Sequence, residues 1–238
     1  MLPRAMDQPT LSIVMPVYDE AATVERALRD LLAADLGVDF HVVVVDDGSR
    51  DESATIVQRV AAEQPDRVEL VRHDRNRGKG AAIRTGLRSA RGRFTTVFDA
   101  DLEYSPDDIS TLLAPLQEGA TNAVFGVRAF DGYTSHSFLY VMGNKLVTLV
   151  ANVLFNVYLR DLMTCHKAIR TDAFQALPLR ADGFDVEAEI TARLLRRGER
   201  IFEVPVSYKA RTTEEGKKLT AADGARVVRT LVRCRLTR

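Results

Sequence analysis

The sequence has few cysteines and no excess of either charge. Its two cysteines, Cys165 and Cys234, have neither a metal-ligand spacing nor the density of a disulfide-stapled secreted domain. We therefore expect free thiols in the reducing cytoplasm. The 33 basic residues equal the 33 acidic ones, so the overall charge gives no sign of a nucleic-acid binder, and any cationic surface must be local.

The chain also lacks a long apolar run that is free of polar residues. Residues 1–10 contain no apolar core of a signal peptide, and we expect a short disordered leader there. The most apolar stretch, Phe138 to Leu159, is about as long as a membrane span but is interrupted by one lysine and three asparagines. We expect a buried amphipathic helix there, with a helix that touches lipid as the alternative.

Two common nucleotide-binding motifs are missing. The segment Gly78-Lys79-Gly80 lacks the third glycine of the dinucleotide fingerprint and follows the third predicted strand, not the first. A Walker A loop needs an earlier glycine and then a Gly-Lys pair followed by Ser or Thr, and the sequence contains no such segment. The sequence therefore argues against both of these nucleotide-binding classes.

Short β-rich runs alternate with amphipathic helical segments along the chain. The hydrophobic periodicity predicts strands at 11–15, 42–45, 67–72, 94–98, 123–127, 168–170 and 200–204. It predicts helices at 21–34, 53–63, 80–90, 138–159 and 186–197. Strands that alternate with helices indicate an α/β domain with a mostly parallel sheet, and the length of the chain suits one such domain.

Polar residues follow the ends of three of the predicted strands, where ligands of open α/β sheets gather. Pro16, Tyr18 and Glu20 follow the first strand, Asp46 and Asp47 the second, and Asp99, Asp101 and Glu103 the fourth. Clustered carboxylates repel one another unless a cation or hydrogen-bond donors compensate them. The D-x-D spacing around Ala100 would let two carboxylates and a diphosphate share one Mg²⁺ or Mn²⁺, although an isolated D-x-D is often only a capped turn.

Together these motifs resemble those of the inverting family-two glycosyltransferases, and among them the dolichyl- or polyprenyl-phosphate hexosyltransferases similar to dolichol-phosphate mannose synthase. The matching segments in the first half are VMPVYDE at 14–20, VDDGSRD at 45–51, NRGKG at 76–80 and DADLE at 99–103. Later matches are GVR at 126–128, DLMTC at 161–165, EAE at 187–189 and RTTEEGKK at 211–218. The resemblance implies a GT-A fold, a Rossmann-like, mostly parallel twisted sheet flanked by helices.

The resemblance also implies a donor site. The base and ribose would be held by Pro16, Tyr18, Glu20 and Asp47. The divalent metal and the diphosphate would be held by the segment Asp99, Ala100 and Asp101. Glu103 stands where mannose synthases often have glutamine, and we expect its carboxylate to be a further metal ligand or to change the sugar preference. A tyrosine that stacks on a base or ribose and carboxylates that bind ribose hydroxyls suit such a pocket.

Cations are expected to stabilise the leaving nucleoside diphosphate. By resemblance, Arg128 faces the phosphate, while Arg211 and Lys217 lie on a loop that closes over the donor. A lipid-phosphate acceptor is largely dianionic at neutral pH and needs no strong base, whereas a hydroxyl acceptor would need one. Asp161 and Glu187 are the candidates for that base, with salt-bridged structural carboxylates as the alternative.

Residues 209–238 are the most basic part of the chain, with nine Lys or Arg residues against three acidic ones. Apolar residues recur among the arginines from Val227 to Leu236. This pattern predicts a basic loop followed by an amphipathic helix that lies on an anionic membrane surface or packs on the domain with its arginines in solvent.

The predicted organisation is a catalytic domain at 11–208, with a donor half at about 11–128 and an acceptor half at about 129–208. The predicted activity is transfer of a hexose from a nucleotide-diphosphate sugar, of the GDP-mannose or UDP-glucose type, to a polyprenyl or dolichyl phosphate. The alternatives are a glycosyltransferase with a soluble or cell-wall acceptor and a non-catalytic nucleotide-sugar-binding scaffold. We expect a cytoplasmic protein that contacts the inner face of the cell membrane peripherally.

Overall fold

Seven strands form one sheet in the computed structural model, which describes residues 9–128, 138–210 and 221–237. The strands are β1 (Leu11–Val17), β2 (Phe40–Asp46), β3 (Val68–Arg72), β4 (Phe94–Val97), β5 (Ala123–Arg128), β6 (Lys167–Arg170) and β7 (Ile201–Val206). Their order is β3-β2-β1-β4-β6-β5-β7. Only β6 runs antiparallel to its neighbours within these residues. The predicted α/β class with a mostly parallel sheet is therefore confirmed.

The helices that cover the sheet are α1 (Val24–Ala33), α2 (Ser53–Glu63), α3 (Lys79–Ser89), α4 (Asp108–Gln117), α5 (Phe138–Phe155), α6 (Thr171–Gln175), α7 (Val186–Arg196) and α8 (Ala221–Leu236). The predicted helices agree with these to within a few residues at each end. The helices α4 and α6 were not predicted from the sequence. Helix α4 contains Pro115. A proline there obscures the periodicity of the buried residues Ile109, Leu112 and Leu116.

The centre of the sheet is buried on both faces. All four residues of the valine run from Val42 to Val45 are fully buried, because helices pack on either side of β2. Continuous β-branched runs are typical of parallel strands in this position. The first half of the chain therefore folds around β1 and β2, with β1 hydrogen-bonded to both β2 and β4.

The favoured expectation of a buried helix at 138–159 is wrong for one of its faces. In α5, Val147 and Ala151 pack against α7 and α8, whereas Leu146 is 61% exposed and Val153 is 74% exposed. The sequence is apolar around much of this helix, so its periodicity did not show which side has a packing partner. No helix in the described part of the chain is long and apolar enough to cross a membrane.

The contact of α3 with β1 predicts that a methyl group at Gly86 destabilises the fold. A Cβ there would lie 2.4 Å from Val14 Cγ1 in the buried core, so Gly86→Ala should lower the free energy of unfolding by about 1–3 kcal/mol in a urea titration. Gly143 in α5 is the matched control, because a Cβ there meets nothing within 4 Å. Gly143→Ala should be neutral or stabilising by up to about 1 kcal/mol. Equal losses in both variants would contradict this packing.

Candidate functional site

The polar residues predicted to form a site meet at one edge of the sheet. The parallel registers pair Val17 with Asp46 and Val14 with Val97, so β1, β2 and β4 all end at the same edge. Pro16 lies near the end of β1, and the loops that follow these three strands carry Tyr18, Glu20, Asp47, Asp99, Ala100, Asp101 and Glu103. The structure thus brings together the residues that the sequence scatters over almost 90 positions.

The loop after β1 is held by the VDDGSRD segment and by the first residue of α2. The backbone N–H of Glu20 donates to Ser53 Oγ at 2.9 Å, and Asp19 accepts the N–H of Arg50 at 2.8 Å. Asp19 itself has a left-handed φ of 51°. These bonds fix the backbone on which Tyr18 and Glu20 are presented at the sheet edge. Both side chains are half-buried.

Asp47 lies deeper than its predicted contact with ribose would suggest. Its side chain is buried, and its carboxylate accepts the backbone N–H groups of Arg77 at 2.9 Å and Gly78 at 2.7 Å. His73 Nδ1 lies 2.6 Å from the same carboxylate. Asp47 therefore fixes the segment that leads into α3, and its contact with the donor stays a prediction.

Gly78 allows the chain to enter α3 in close contact with a neighbouring loop. Its φ is 94°, and a Cβ there would lie 2.2 Å from the carbonyl oxygen of Asp182. The next glycine, Gly80, donates its N–H to the same oxygen at 2.7 Å. Side chains at either position would push the segment away, so these glycines place Lys79 at the start of α3, beside the end of β4.

Lys79 is a site residue that the sequence analysis did not assign. Its Nζ lies 2.7 Å from Asp99 Oδ2, 2.9 Å from Cys165 Sγ and 3.5 Å from Glu187 Oε1. Burial favours a neutral Asp99, but Lys79 outweighs that effect and leaves the pKa of Asp99 below its usual value. A lysine in the first turn of a helix opposes the helix dipole, and this unfavourable position between two glycines was the signal in the sequence.

The same buried charges continue to α7. Glu187 Oε2 accepts a hydrogen bond from Lys167 Nζ at 2.7 Å, and Lys167 also donates to the carbonyl oxygens of Leu162 and Thr164. Asp99, Lys79, Glu187 and Lys167 thus form a chain of alternating charges, which we call the buried charge chain. Glu187, a candidate base, lies between two lysines.

The segment after β4 offers oxygen ligands but no complete metal cage. Asp101 is half-buried, and its Oδ1 accepts the N–H of Glu103 at 3.1 Å. Glu103 Oε2 accepts the hydroxyl of Tyr208 at 2.9 Å. No three acidic, histidine or cysteine side chains converge as a metal site within the described residues. Mg²⁺ commonly takes only one or two carboxylates and completes its shell with substrate phosphates and water, so this segment fits such an ion.

Arg128 is held at the end of β5 by Asp161. Its Nε and one terminal nitrogen donate to the two carboxylate oxygens at 2.7 and 2.8 Å, a bidentate pair. Asn144 of α5 donates to Asp161 Oδ1 at 2.9 Å. Burial raises the pKa of Asp161, but Arg128 and Asn144 lower it further, so it lies below the ordinary value. Arg211 and Lys217, the other two predicted cations, lie outside the described residues.

Comparison with known proteins identifies the class and then the family. The fold of this chain is similar to that of glucosyl-3-phosphoglycerate synthase from Mycobacterium tuberculosis, in its crystal structure in complex with Mn²⁺, UDP and phosphoglyceric acid. The TM-score is 0.75 over 97% of this chain and 80% of that one, at 18% identity, which shows a shared GT-A fold. The model of glycosyl transferase family 2 matches residues 12–177. The chain belongs to this family.

Two curated relatives give the family context. The chain is 33% identical over 187 residues to the undecaprenyl-phosphate 4-deoxy-4-formamido-L-arabinose transferase of Shewanella sediminis, covering 73% of this chain and 55% of that protein. It is 29% identical over 241 residues to glycosyltransferase AglD of Haloferax volcanii, covering 96% of this chain and 38% of that protein. The chain therefore spans about half or less of the length of these two relatives.

The Arg128–Asp161 pair predicts a pH-dependent loss of stability. Asp161→Asn leaves a largely buried guanidinium unpaired and should cost about 3–5 kcal/mol of unfolding free energy at pH 7. Because the folded-state pKa of Asp161 is lowered, this stabilisation is present above the unfolded value of about 3.9 and is lost as the pH falls through the folded value. Denaturant titrations at several pH values should show the two proteins converging in acid.

The matched control for this prediction is the exposed pair of Arg170 and Asp172. Asp172→Asn removes the same charge from a surface ion pair and should cost no more than about 1 kcal/mol. A similar small loss for Asp161→Asn at pH 7 would show that Asp161 does not hold Arg128.

Proposed function

We propose that this protein is a metal-dependent, inverting hexosyltransferase that moves a sugar from a nucleotide-diphosphate donor to a polyprenyl phosphate. The donor class is supported by the convergence of the DADLE segment, the loop after β1 and Arg128 at one sheet edge. The acceptor class is supported by the relative in Shewanella sediminis, which is named for undecaprenyl phosphate. The acceptor proposal rests mainly on one observation, which is that both candidate bases are paired with cations.

Both candidate bases are already occupied by cations. Asp161 is 1% exposed and holds Arg128 through both oxygens, and Glu187 lies between Lys167 and Lys79. A carboxylate with a lowered pKa and a bound guanidinium is a poor proton acceptor. A hydroxyl acceptor needs a base, whereas a phosphate monoester is already largely dianionic at neutral pH. The geometry therefore favours a phosphate acceptor over a hydroxyl.

On the donor side, Pro16, Tyr18, Glu20 and Asp47 would contact the base and ribose. Asp99, Asp101 and Glu103 would hold Mg²⁺ or Mn²⁺ together with the donor diphosphate, and the ion would neutralise charge on the leaving phosphates. Lys79 keeps Asp99 ionised and oriented from the protein side. Ala100 is buried between the two aspartates, so the backbone that carries them is fixed by core packing.

Arg128 would stabilise the leaving nucleoside diphosphate. Its orientation is set before the donor arrives, because Asp161 and the ring of Tyr208, 5.0 Å from the guanidinium carbon, hold it on two sides. A donor group that is preorganised toward growing negative charge stabilises the transition state more than the ground state. Arg211 and Lys217, which lie outside the described residues, are proposed for the same task.

The first test is transfer of labelled sugar from a panel of GDP- and UDP-sugars into polyprenyl phosphate with Mn²⁺ present. Asp101→Asn should reduce the rate about 100-fold or more, since it weakens the charge that holds the metal and diphosphate. Asp66→Asn is the matched control, because Asp66 is exposed before β3, at the opposite edge of the sheet, and should leave the rate unchanged. Label that appears only in a soluble acceptor would redirect the acceptor proposal, and failure of every donor to bind would overturn the enzyme proposal.

We also propose that α8 contacts an anionic membrane surface. Its inner residues Val227 and Leu231 pack on the domain, while Arg229 and Arg235 are exposed. Each basic residue near an anionic surface contributes about 1 kcal/mol. With this contact, the protein would act peripherally at the cytoplasmic face of the membrane.

Binding through these arginines predicts a strong dependence on salt. Co-sedimentation with phosphatidylglycerol-containing vesicles should weaken as NaCl is raised, and Arg229→Gln should weaken it about fivefold at low salt. Arg59→Gln on α2, which also removes an exposed arginine, should have no such effect. Equal binding by both variants would contradict a contact through α8.

A further inference from the structure

The large apolar side chains that are exposed in the described residues lie on α5, directly after it, and near the end of α8, which packs against α5. They are Phe138, Tyr140, Met142, Leu146, Leu149 and Val153 of α5, Tyr158 just after it, and Val232 and Leu236 of α8. Isolated exposed apolar residues are normal on soluble proteins, but a contiguous group marks an interaction surface. We call this group the apolar face.

The spacing of its members shows that the apolar face runs along α5. Met142, Leu146, Leu149 and Val153 follow one another at steps of four, three and four residues, which is one stripe of an α-helix. On the opposite side, Val147, Thr148 and Ala151 are buried against the rest of the protein. The 18 residues of α5 span about 27 Å. One side of this helix is therefore packed on the domain, and the other side is apolar and uncovered.

The charges around the apolar face fit an anionic lipid surface. Helix α5 contains one charged residue, Lys145, which is exposed beside the stripe. At the other end of the helix, Arg235 of α8 donates to the carbonyl oxygen of Leu154 at 2.9 Å and places a second cation there. An uncovered apolar stripe can enter the acyl region of a membrane while cations beside it contact anionic headgroups, and α5 carries no acidic residue that would oppose this.

The inner side of α5 reaches the candidate site. Asn144, two positions after Met142 and two before Leu146, donates to Asp161, and Asp161 holds Arg128. We propose that α5 seats the protein in the lipid–water interface, with Met142, Leu146, Leu149 and Val153 among the acyl chains. Asn144 then fixes Arg128 relative to the membrane surface. This inference deepens the proposed function, on which it rests for the lipid-phosphate acceptor.

The absence of tryptophan in the chain allows a direct test of insertion. When Leu149→Trp is mixed with vesicles of phosphatidylcholine and phosphatidylglycerol, the fluorescence emission of its single indole should shift to the blue. Lipids brominated on their acyl chains should quench this emission. In Thr55→Trp, a control at an exposed position of α2, the indole should stay in water. Vesicle binding without quenching of Leu149→Trp would overturn the proposal. An indole at Leu149 that is already shielded without vesicles, in a protein that sediments as a dimer or with a protein partner, would also overturn it.

A second measurement separates this inference from the proposed function. The variant Leu146→Gln/Leu149→Gln should bind vesicles at least about tenfold more weakly even at high salt, because it removes apolar burial. It should lose transfer to long-chain polyprenyl phosphate in vesicles but keep transfer to a short, water-soluble prenyl phosphate. Leu146→Met/Leu149→Met should behave like the unmodified protein. Insertion by Leu149→Trp without transfer to either acceptor would uphold the docking of α5 and contradict the proposed reaction.

Discussion

Lys79 connects distant parts of the chain at the centre of the candidate site. Its ammonium group pairs with Asp99 and also contacts Cys165 and Glu187 in the second half of the chain. Glu187 and Lys167 are buried along this line, and Lys79 and Asp99 are largely so. Removal of one partner from a buried pair commonly costs about 3–5 kcal/mol. Asp99, just beyond the carboxyl end of β4, can stay ionised because the positive charge of Lys79 compensates its carboxylate. The carboxylate of Glu187 in turn lies beside both Lys79 and Lys167.

The neighbouring features of the first half serve to place that lysine. Asp47 accepts two backbone N–H groups from residues 77 and 78, and Gly78 has a φ that favours glycine. The close approach of Gly80 to the loop at 181–182 leaves no space for a side chain. The NRGKG segment thus positions Lys79 and is not a phosphate-binding loop of the Walker type. Its glycines serve packing between two loops, which explains why the dinucleotide pattern is incomplete.

The sequence predicted the architecture well because the signals for it are local. Valine runs ended by aspartates, and helices with one apolar face, indicated a mostly parallel sheet with carboxylates at its edge. The antiparallel direction of β6 was not predictable, since a four-residue strand has the same pattern in either direction. The roles of Asp47 and Lys79 depend on partners about 20 to 30 residues or more away, and no periodicity contains that information. For α5, the apolar character was predictable from the sequence, but the side that neighbouring helices cover was not.

Two features of the chain after β5 support the proposed lipid-phosphate acceptor. Inside the domain, Asp161 is paired with Arg128 and Glu187 with two lysines, so neither is free to act as the base that a hydroxyl acceptor would need. Outside it, α5 presents an uncovered apolar stripe while its inner residue Asn144 holds that same Asp161. A polyprenyl phosphate combines a charged end with an apolar tail. If α5 lies in the membrane interface as proposed, only the width of this helix, about 10 Å, would separate the acyl chains from Asp161, and the acceptor phosphate would reach the site while its tail stays in the lipid.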